Sequence, residues 1–153
     1  MDPKKRLSMT IDYLFGRGTS SVIPVDRLNF AFSKRTGRMK SVLLDGKLLA
    51  TLRSDGGIAL TIHGADLLTK HPGFFENCVV VGDEAREYVS MGRSAFVKHV
   101  VSCGDRIRPG SEVVVVDTNR RVIAVGKAIL SARMMRSFKQ GVAVKVREGI
   151  KNV

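Results

Sequence analysis

The sequence predicts an α+β protein in which a small N-terminal α/β sheet domain precedes a small β-barrel that carries one or two helices. Three observations support this fold class. Short β-branched runs alternate with evenly spaced turns over most of the chain. Few segments place apolar residues at helical spacing. Pro72-Gly73 breaks the pattern near the middle of the 153 residues, which predicts two domains, residues 1–74 and 75–153.

The first domain is predicted to begin with a helix and to continue as a meander of strands. Apolar residues at helical spacing predict the helix over residues 6–16. Asp45-Gly46 is typical of a type I′ hairpin, in which both central residues have positive φ. Strands are expected on both sides of this pair and after the next turn, at residues 39–44, 47–52 and 58–62. A short helix at residues 61–70 follows.

The second domain centres on a continuous β-branched run, VVVV at residues 113–116, which suits a strand buried on both faces. Five strands are predicted in all, at residues 79–81, 94–101, 112–117, 121–131 and 142–146. A helix is expected over residues 84–91, and Gly92 is a natural stop at its C-terminus. Met134-Met135 is assigned to a basic loop before the last strand.

The charge balance is the strongest functional signal. The chain has 26 Lys and Arg residues against 14 Asp and Glu residues, which gives a net charge of +12. Residues 1–74 and residues 75–153 each carry +6 of this excess. The folded surface is therefore expected to be positive and to attract polyanions through phosphate neutralisation and counterion release. Nucleic-acid binding is the favoured interpretation, and a generally basic proteome or an effect on solubility is the alternative.

Several kinds of chemistry are not indicated. Cys78 and Cys103 are too few for a disulfide framework and lack the spacing of a metal site, so both are interpreted as buried free thiols. No nucleotide-binding, metalloprotease or serine-hydrolase motif occurs, and the carboxylates are scattered singly. We therefore expect no metal, no cofactor and no enzymatic activity. No apolar run approaches the ~20 residues that span a bilayer, so the protein is expected to be cytoplasmic, with no membrane partner.

The first domain contains one basic cluster, SKRTGRMK, in the loop that leads into the meander. Arginine can bind a phosphate through two parallel hydrogen bonds. The candidate contacts to nucleic acid in this loop are Lys34, Arg35 and Arg38, with Lys40 close by. A solvated charged loop is the alternative, and the sequence favours neither interpretation over the other.

The second domain contains two further basic clusters. GRSAFVKHV holds Gly92, Arg93, Ser94 and Lys98, and on a continuous strand Ser94 and Lys98 would share one face. The alternative is a helix stop followed by an edge strand with ordinary surface charges. SARMMRSFKQGVAVKV interleaves basic and apolar residues, as in a groove that binds a nucleic-acid backbone. Its basic residues are Arg133, Arg136, Lys139 and Lys145. A plug at the barrel end, formed by the apolar side chains between them, is compatible with this interpretation.

The second domain resembles the PUA domain, an RNA-binding pseudo-barrel, in VVVGDEAREYVSMGRSAF (79–96), IRPGSEVVVVDTNRRVIAVGKAILSARMM (107–135) and KQGVAVKVREG (139–149). The first domain is similar to the region that precedes a PUA domain in archaeal tRNA-guanine transglycosylases and archaeosine synthases. That similarity is carried by DYLFGRG (12–18) and FSKRTGRMKSVLLDGKLLATLRSDGGIALTIHGADLL (32–68). The catalytic barrel, the catalytic aspartates and the zinc site of those enzymes have no counterpart in this sequence.

The resemblance implies a PUA-type β pseudo-barrel with an RNA-facing surface. In this family the helix, the glycine turn after it, the next strand and part of the final hairpin form that surface. Carried over residue by residue, the resemblance nominates Arg86, Gly92, Arg93, Ser94, Lys98, Lys139 and Lys145. Many such domains have a proline-glycine pair before the second strand, and here Lys98-His99-Val100-Val101 stands in its place.

The sequence therefore predicts a protein without catalytic activity that binds structured RNA, with tRNA as the first candidate. It would position that RNA for modification by a separately encoded enzyme. The alternative is a ribosome-associated or translation factor whose PUA domain binds rRNA or tRNA. A scaffold that binds only protein would instead show exposed apolar patches, and an independent enzyme would need a pocket with convergent polar groups.

Overall fold

The computed structural model describes residues 2–152, and the chain forms two compact units that divide between Phe74 and Phe75. Unit 1 consists of α1 (Pro3–Phe15), β1 (Leu28–Phe32), β2 (Met39–Leu44), β3 (Lys47–Leu52), β4 (Ile58–Leu60) and α2 (Ile62–Leu68). Unit 2 consists of β5 (Cys78–Val81), α3 (Asp83–Ser90), β6 (Ala95–Phe96), β7 (Val100–Cys103), β8 (Glu112–Val116), β9 (Val122–Ala128), α4 (Ala132–Ser137) and β10 (Val142–Gly149).

Unit 1 is built on an antiparallel meander with the strand order β1-β2-β3-β4. The two-residue connection between β2 and β3 has positive φ at both positions, 51° at Asp45 and 82° at Gly46. This is the backbone that a type I′ turn requires, because its twist matches that of the strands on either side. The predicted hairpin is therefore confirmed.

The helix α1 covers the meander of unit 1 with one apolar face. Leu7, Ile11 and Phe15 are buried at intervals of four residues, which places them on one side of the helix. Leu7 and Ile11 line the same small apolar cavity as Val42 of β2. The Phe15 ring packs at 5.2 Å, centroid to centroid, from the ring of Phe74. Helix and sheet thus share one apolar core.

Unit 2 is a six-stranded sheet with the order β6-β10-β9-β8-β5-β7. Only β5 and β8 pair in parallel; the other neighbours are antiparallel. All five residues of β8 are buried, as predicted from its β-branched run. The sheet curls into a nearly closed barrel, and the predicted α+β fold class is confirmed.

The barrel of unit 2 is closed by a short connection between its two edge strands. β6 lies at one edge and pairs with β10, whereas β7 lies at the other edge and pairs with β5. A single 3₁₀ turn, Val97–His99, links the two edges. The Val97 N–H donates to the Gly141 carbonyl at 2.9 Å, and the Gly82 N–H donates to the His99 carbonyl at 2.9 Å. These bonds fix the turn to both sides of the barrel.

Two local predictions for unit 2 were wrong. The continuous strand at residues 94–101 is interrupted by the turn at Val97–His99, because its two ends pair with different neighbours. Ser94 and Lys98 therefore do not share the face of one strand. The basic loop at Met134-Met135 is instead part of α4, where the Ser131 Oγ accepts a hydrogen bond from the Met134 N–H at 3.1 Å. A serine cap of this kind starts a helix.

Among the helices formed by residues 2–152, none combines the length and the apolar composition needed to cross a bilayer.

Close backbone packing in the barrel requires glycine at position 126. A Cβ atom there would lie 2.2 Å from the Lys145 carbonyl oxygen on the neighbouring strand β10. Real Cβ atoms do not come that close to backbone, so any side chain at this position would force β9 and β10 apart.

We expect Gly126→Ala to lower the free energy of unfolding of unit 2 by about 1–3 kcal/mol, the usual cost of overpacking. The matched control is Arg108→Ala at an exposed loop residue of unit 2, for which we expect a change within about 0.5 kcal/mol. Urea titration followed by the NMR amide signals of unit 2 measures both. Equal stability of Gly126→Ala and the wild type would contradict the close packing.

Candidate nucleic-acid interface

The turn after α3 presents Arg93 to solvent on a rigid backbone. The Gly92 N–H donates to the Val89 carbonyl at 3.0 Å, and the Arg93 N–H donates to the Tyr88 carbonyl at 3.1 Å. This pair of bonds is the Schellman motif, which needs positive φ at the residue after the cap. Gly92 has φ 97°. The predicted stop at Gly92 is confirmed, and it sends Arg93 outward as an exposed side chain.

The C-terminal residues of the chain lie against this turn. A Cβ atom at Gly92 would lie 2.2 Å from the Asn152 Nδ2. The Lys151 N–H donates to the Ser90 carbonyl at 2.8 Å, and the Lys151 Nζ lies 2.6 Å from a carboxylate oxygen of Glu87. The space beside Gly92 is therefore filled on its Cβ side by the chain itself.

Lys98 and Lys139 lie on the two segments joined by the barrel-closing hydrogen bond. Lys98 is in the 3₁₀ turn and is exposed. Lys139 is exposed in the loop that leads to Gly141, whose carbonyl accepts from the Val97 N–H. The turn and the loop are thus held together, which fixes where these two lysines emerge from the surface.

Ser94 and Lys145 lie beside the same junction, where β6 pairs with β10. Val144 of β10 pairs with Ala95 of β6, so Lys145 and Ser94 are the next residues on either side of that pair. Lys145 is exposed and Ser94 is half-buried. Within residues 2–152 the side chains of Arg93, Lys98, Lys139 and Lys145 form no ion pair. We call these four residues the junction cations.

Two of the predicted contacts, Arg86 and Arg136, are engaged in ion pairs within unit 2. The Arg86 Nε donates to the Asp117 carboxylate at 3.1 Å, and the Asp117 side chain is 4% exposed. The Arg136 Nη2 lies 2.7 Å from both the Cys103 carbonyl and the Asp105 carboxylate. Arg86 and Arg136 therefore cross-link α3 and α4 to other parts of unit 2. In contrast, Arg133 of α4 is exposed and has no side-chain partner among the described residues.

Sequence reasoning missed Lys127, because finding it requires the register of the strands. Lys127 of β9 lies directly opposite Lys145 of β10, and on its other side it faces Glu112 of β8. The Glu112 carboxylate is bound by both terminal nitrogens of Arg147. Lys127 forms no ion pair within the described part of the chain. The two lysine side chains therefore leave opposite positions of neighbouring strands, where like charges destabilise a sheet.

In unit 1 the predicted contacts Lys34, Arg35 and Arg38 all lie in the exposed loop between β1 and β2. The Ser33 N–H donates to the Arg38 carbonyl at 2.8 Å, and the Gly37 N–H donates to the Ser33 carbonyl at 2.8 Å. The loop is therefore a defined turn rather than an open segment. None of the three basic side chains is paired with a carboxylate in residues 2–152.

The thiols are poorly suited to nucleophilic chemistry. Burial raises the pKa of Cys78 to about 12, although Arg120 acts in the opposite direction. Burial also raises the pKa of Cys103. Both groups are therefore protonated at neutral pH, whereas the thiolate is the reactive form. Over residues 2–152 no three His, Cys, Asp or Glu side chains come together as a metal site.

Comparison with known proteins agrees with this geometry. Residues 77–150 match the family model of the PUA domain, and residues 5–72 match that of the patch-forming domain C2 of tRNA-guanine transglycosylase. The chain therefore carries a PUA domain, which is unit 2, after a C2-type domain, which is unit 1. The predicted resemblance to both is confirmed.

One similar protein is the tRNA-guanine(15) transglycosylase of Thermoplasma acidophilum, with 37% identity over 94% of this chain. The chain spans only 23% of that protein's length, at its C-terminal part, without the catalytic domain. A hypothetical protein from Pyrococcus horikoshii has a similar fold, with a TM-score of 0.73 and 22% identity over 95% of this chain and 89% of its own. A PUA domain protein from Thermoplasma acidophilum gives a TM-score of 0.68 and 20% identity over 97% and 91%.

Asp117 is a buried carboxylate that binds Arg86 of α3 and two main-chain N–H groups of the turn between β8 and β9. Burial alone would raise its pKa, but hydrogen bonds from the Arg121 N–H, from Arg86 and from the Asn119 N–H outweigh burial and hold the pKa below its ordinary value. The donor distances are 3.0, 3.1 and 2.8 Å. The charged form of Asp117 therefore stabilises the folded state above the pKa of the unfolded chain, about 3.9. That stability is lost as the pH falls through the lower, folded-state value.

We expect Asp117→Asn to lower the free energy of unfolding at pH 6 by about 1–3 kcal/mol. The difference from the wild type should begin to shrink as the pH falls below about 4, because the Asp117 carboxyl of the unfolded wild type then takes up a proton more readily than that of the folded wild type. Asp105→Asn, in an exposed pair with Arg136, is the control and should show little effect at either pH. Urea titrations at several pH values measure these differences. A constant difference between pH 6 and pH 3 would contradict the assignment.

Proposed function

We propose that this chain binds structured RNA, with tRNA as its ligand, and positions it for modification by a separately encoded enzyme. The observation that carries the proposal is the set of junction cations, four basic side chains of a PUA domain that form no ion pair within residues 2–152 and emerge at or beside the barrel-closing junction. The relative from Thermoplasma acidophilum is named for its action on a guanine of tRNA. This chain corresponds to the part of that protein that lacks the catalytic domain.

Binding would be achieved mainly by phosphate contacts. Lysine and arginine side chains neutralise phosphates and release condensed counterions, and these contacts set position and register without reading the base sequence. A rigid surface suits this task because A-form RNA is recognised through its shape, its phosphates and its 2′-hydroxyls. Ser94, beside the junction, supplies a hydroxyl that can both donate and accept. Lys127 adds a further cation next to Lys145.

The proposed role is positioning, not bond formation. The two thiols are protonated at neutral pH, and the buried carboxylates Glu112 and Asp117 are each held by an arginine of the fold. Chemistry on the bound RNA would therefore come from another polypeptide. The two units would act as separate domains, the second carrying the junction cations and the first an additional basic loop.

We expect Arg93→Gln combined with Lys98→Gln to weaken binding of the full chain to tRNA. The slope of log K against log salt should become less steep by roughly 0.9 for each phosphate contact that is lost. Arg108→Gln combined with Arg121→Gln removes the same charge from two other exposed positions of unit 2 and serves as the control. Fluorescence anisotropy at several salt concentrations measures the slope. The same slope in both double variants would show that the junction cations are not the binding surface.

The positioning role predicts a stable association with a catalytic partner. Purified under mild salt from the cells that produce it, the chain should bring down tRNA together with a polypeptide that carries the missing catalytic domain. Mass spectrometry and sequencing of the recovered RNA identify both. Recovery of tRNA without any RNA-modifying enzyme would remove the partner from the proposal and leave RNA binding in place.

A further inference from the structure

Two loops of unit 1 meet at one end of its sheet. In an antiparallel meander alternate connections lie at the same end, so the loop between β1 and β2 neighbours the turn between β3 and β4. The Asp45-Gly46 turn lies at the opposite end. A groove opens between the two neighbouring loops, and its basic lining residues are Arg35, Arg38, Lys40 and Arg53.

The lining of this groove has a single sign of charge. Besides the four cations it includes the hydroxyl side chains of Ser33, Thr36 and Ser54, and it includes no carboxylate. The nearby Asp55 turns toward its own loop, where its carboxylate accepts from the Gly57 N–H at 2.8 Å. All the charged side chains of the groove are therefore donors, which is the chemistry of an anion site.

Three of the four cations have no competing partner. The side chains of Arg35, Arg38 and Lys40 are exposed and form neither a hydrogen bond nor an ion pair within residues 2–152. Arg53 has a further interaction of its own, so the inference rests on the other three. A cluster of unpaired like charges repels itself, and a bound anion removes that repulsion.

The backbone holds these side chains in place before any ligand arrives. The loop from Ser33 to Arg38 is closed by two main-chain hydrogen bonds of 2.8 Å, and Gly37 provides the positive φ of 72° that the turn needs. The Ser33 Oγ also accepts from the Thr36 N–H at 3.3 Å. A preformed loop loses less conformational freedom on binding than a mobile one does.

We propose that this groove is a binding site for the phosphodiester backbone of RNA, formed by residues of unit 1 alone. Arg35 and Arg38 bind phosphate oxygens with their guanidinium groups, Lys40 adds a point charge, and the hydroxyls donate the remaining hydrogen bonds. The contacts are independent of base sequence. This inference rests on the proposed function, since it assigns unit 1 a direct share in holding the same RNA.

The test uses the full chain and two matched double variants. Arg35→Gln with Arg38→Gln removes two charges from the groove. Lys5→Gln with Arg6→Gln removes two charges from exposed positions on α1, so the net charge of the two proteins is equal. We expect the groove variant to bind tRNA on the order of tenfold more weakly near physiological salt, with a salt slope reduced by roughly 1.8 for two phosphate contacts. The α1 variant should change the affinity by less than about twofold, because no contact is lost.

The outcomes separate this inference from the proposed function. Equal slopes and affinities for the groove variant and the α1 variant overturn the groove while leaving RNA binding by unit 2 intact. A wild-type chain that binds tRNA no better than heparin overturns the proposed function itself.

NMR gives a second readout that does not depend on affinity. Titration of the full chain with tRNA should shift the amide signals of residues 33–40 and 53–57 in the wild type, and these shifts should be lost in the groove variant. Inorganic pyrophosphate serves as a probe of the phosphate chemistry alone. Shifts with pyrophosphate but not with tRNA would assign the groove to a small phosphate ligand and overturn the RNA proposal.

Discussion

The three-residue turn at Val97–His99 is the constraint on which the arrangement of unit 2 depends. It connects the two edge strands of the sheet, and main-chain hydrogen bonds tie it to Gly141 on one side and to Gly82 on the other. Because the same short segment closes the barrel and carries Lys98, the position of that cation cannot vary independently of the fold. Arg93 precedes this segment and lies in the Schellman turn, whose backbone is also held by main-chain hydrogen bonds. In the proposed function, RNA contact and barrel closure therefore share one piece of backbone.

The basic residues of unit 2 differ in their partners. Arg86 and Arg147 are bound by the buried carboxylates of Asp117 and Glu112 and stabilise the fold, whereas Arg136 lies in an exposed pair with Asp105. The junction cations have no such partner within the described residues. Two of the acidic residues, Glu112 and Asp117, are buried where an arginine links neighbouring elements of the barrel. The junction cations emerge at or beside the barrel-closing junction, and other basic residues, such as Arg108, Arg121 and Arg133, are exposed elsewhere in unit 2.

Local sequence signals predicted local structure well. The Asp45-Gly46 pair predicted a hairpin, and the run at residues 113–116 predicted a buried strand. Gly92 predicted the end of a helix. Each of these features depends on the conformational preference of a few adjacent residues. Pairings between distant residues could not be predicted. Arg86 and Arg136 are each paired with a carboxylate that lies 31 residues away along the chain. The sequence alone could therefore not distinguish them from basic residues that form no ion pair. The interruption of the predicted strand at 94–101 has the same origin, because it depends on which neighbour each end pairs with.

The opposition of Lys127 and Lys145 has a consequence for the behaviour of the free protein. Like charges at directly opposite positions of neighbouring strands raise the free energy of the folded state, and a counter-ion between them lowers it. A bound polyanion supplies that counter-ion, so occupancy and thermal resistance are coupled through mass action. The melting temperature of the protein should accordingly be lowest in dilute buffer and should rise when a polyanion is bound. In the cell, the unloaded population would be the one most readily unfolded and removed.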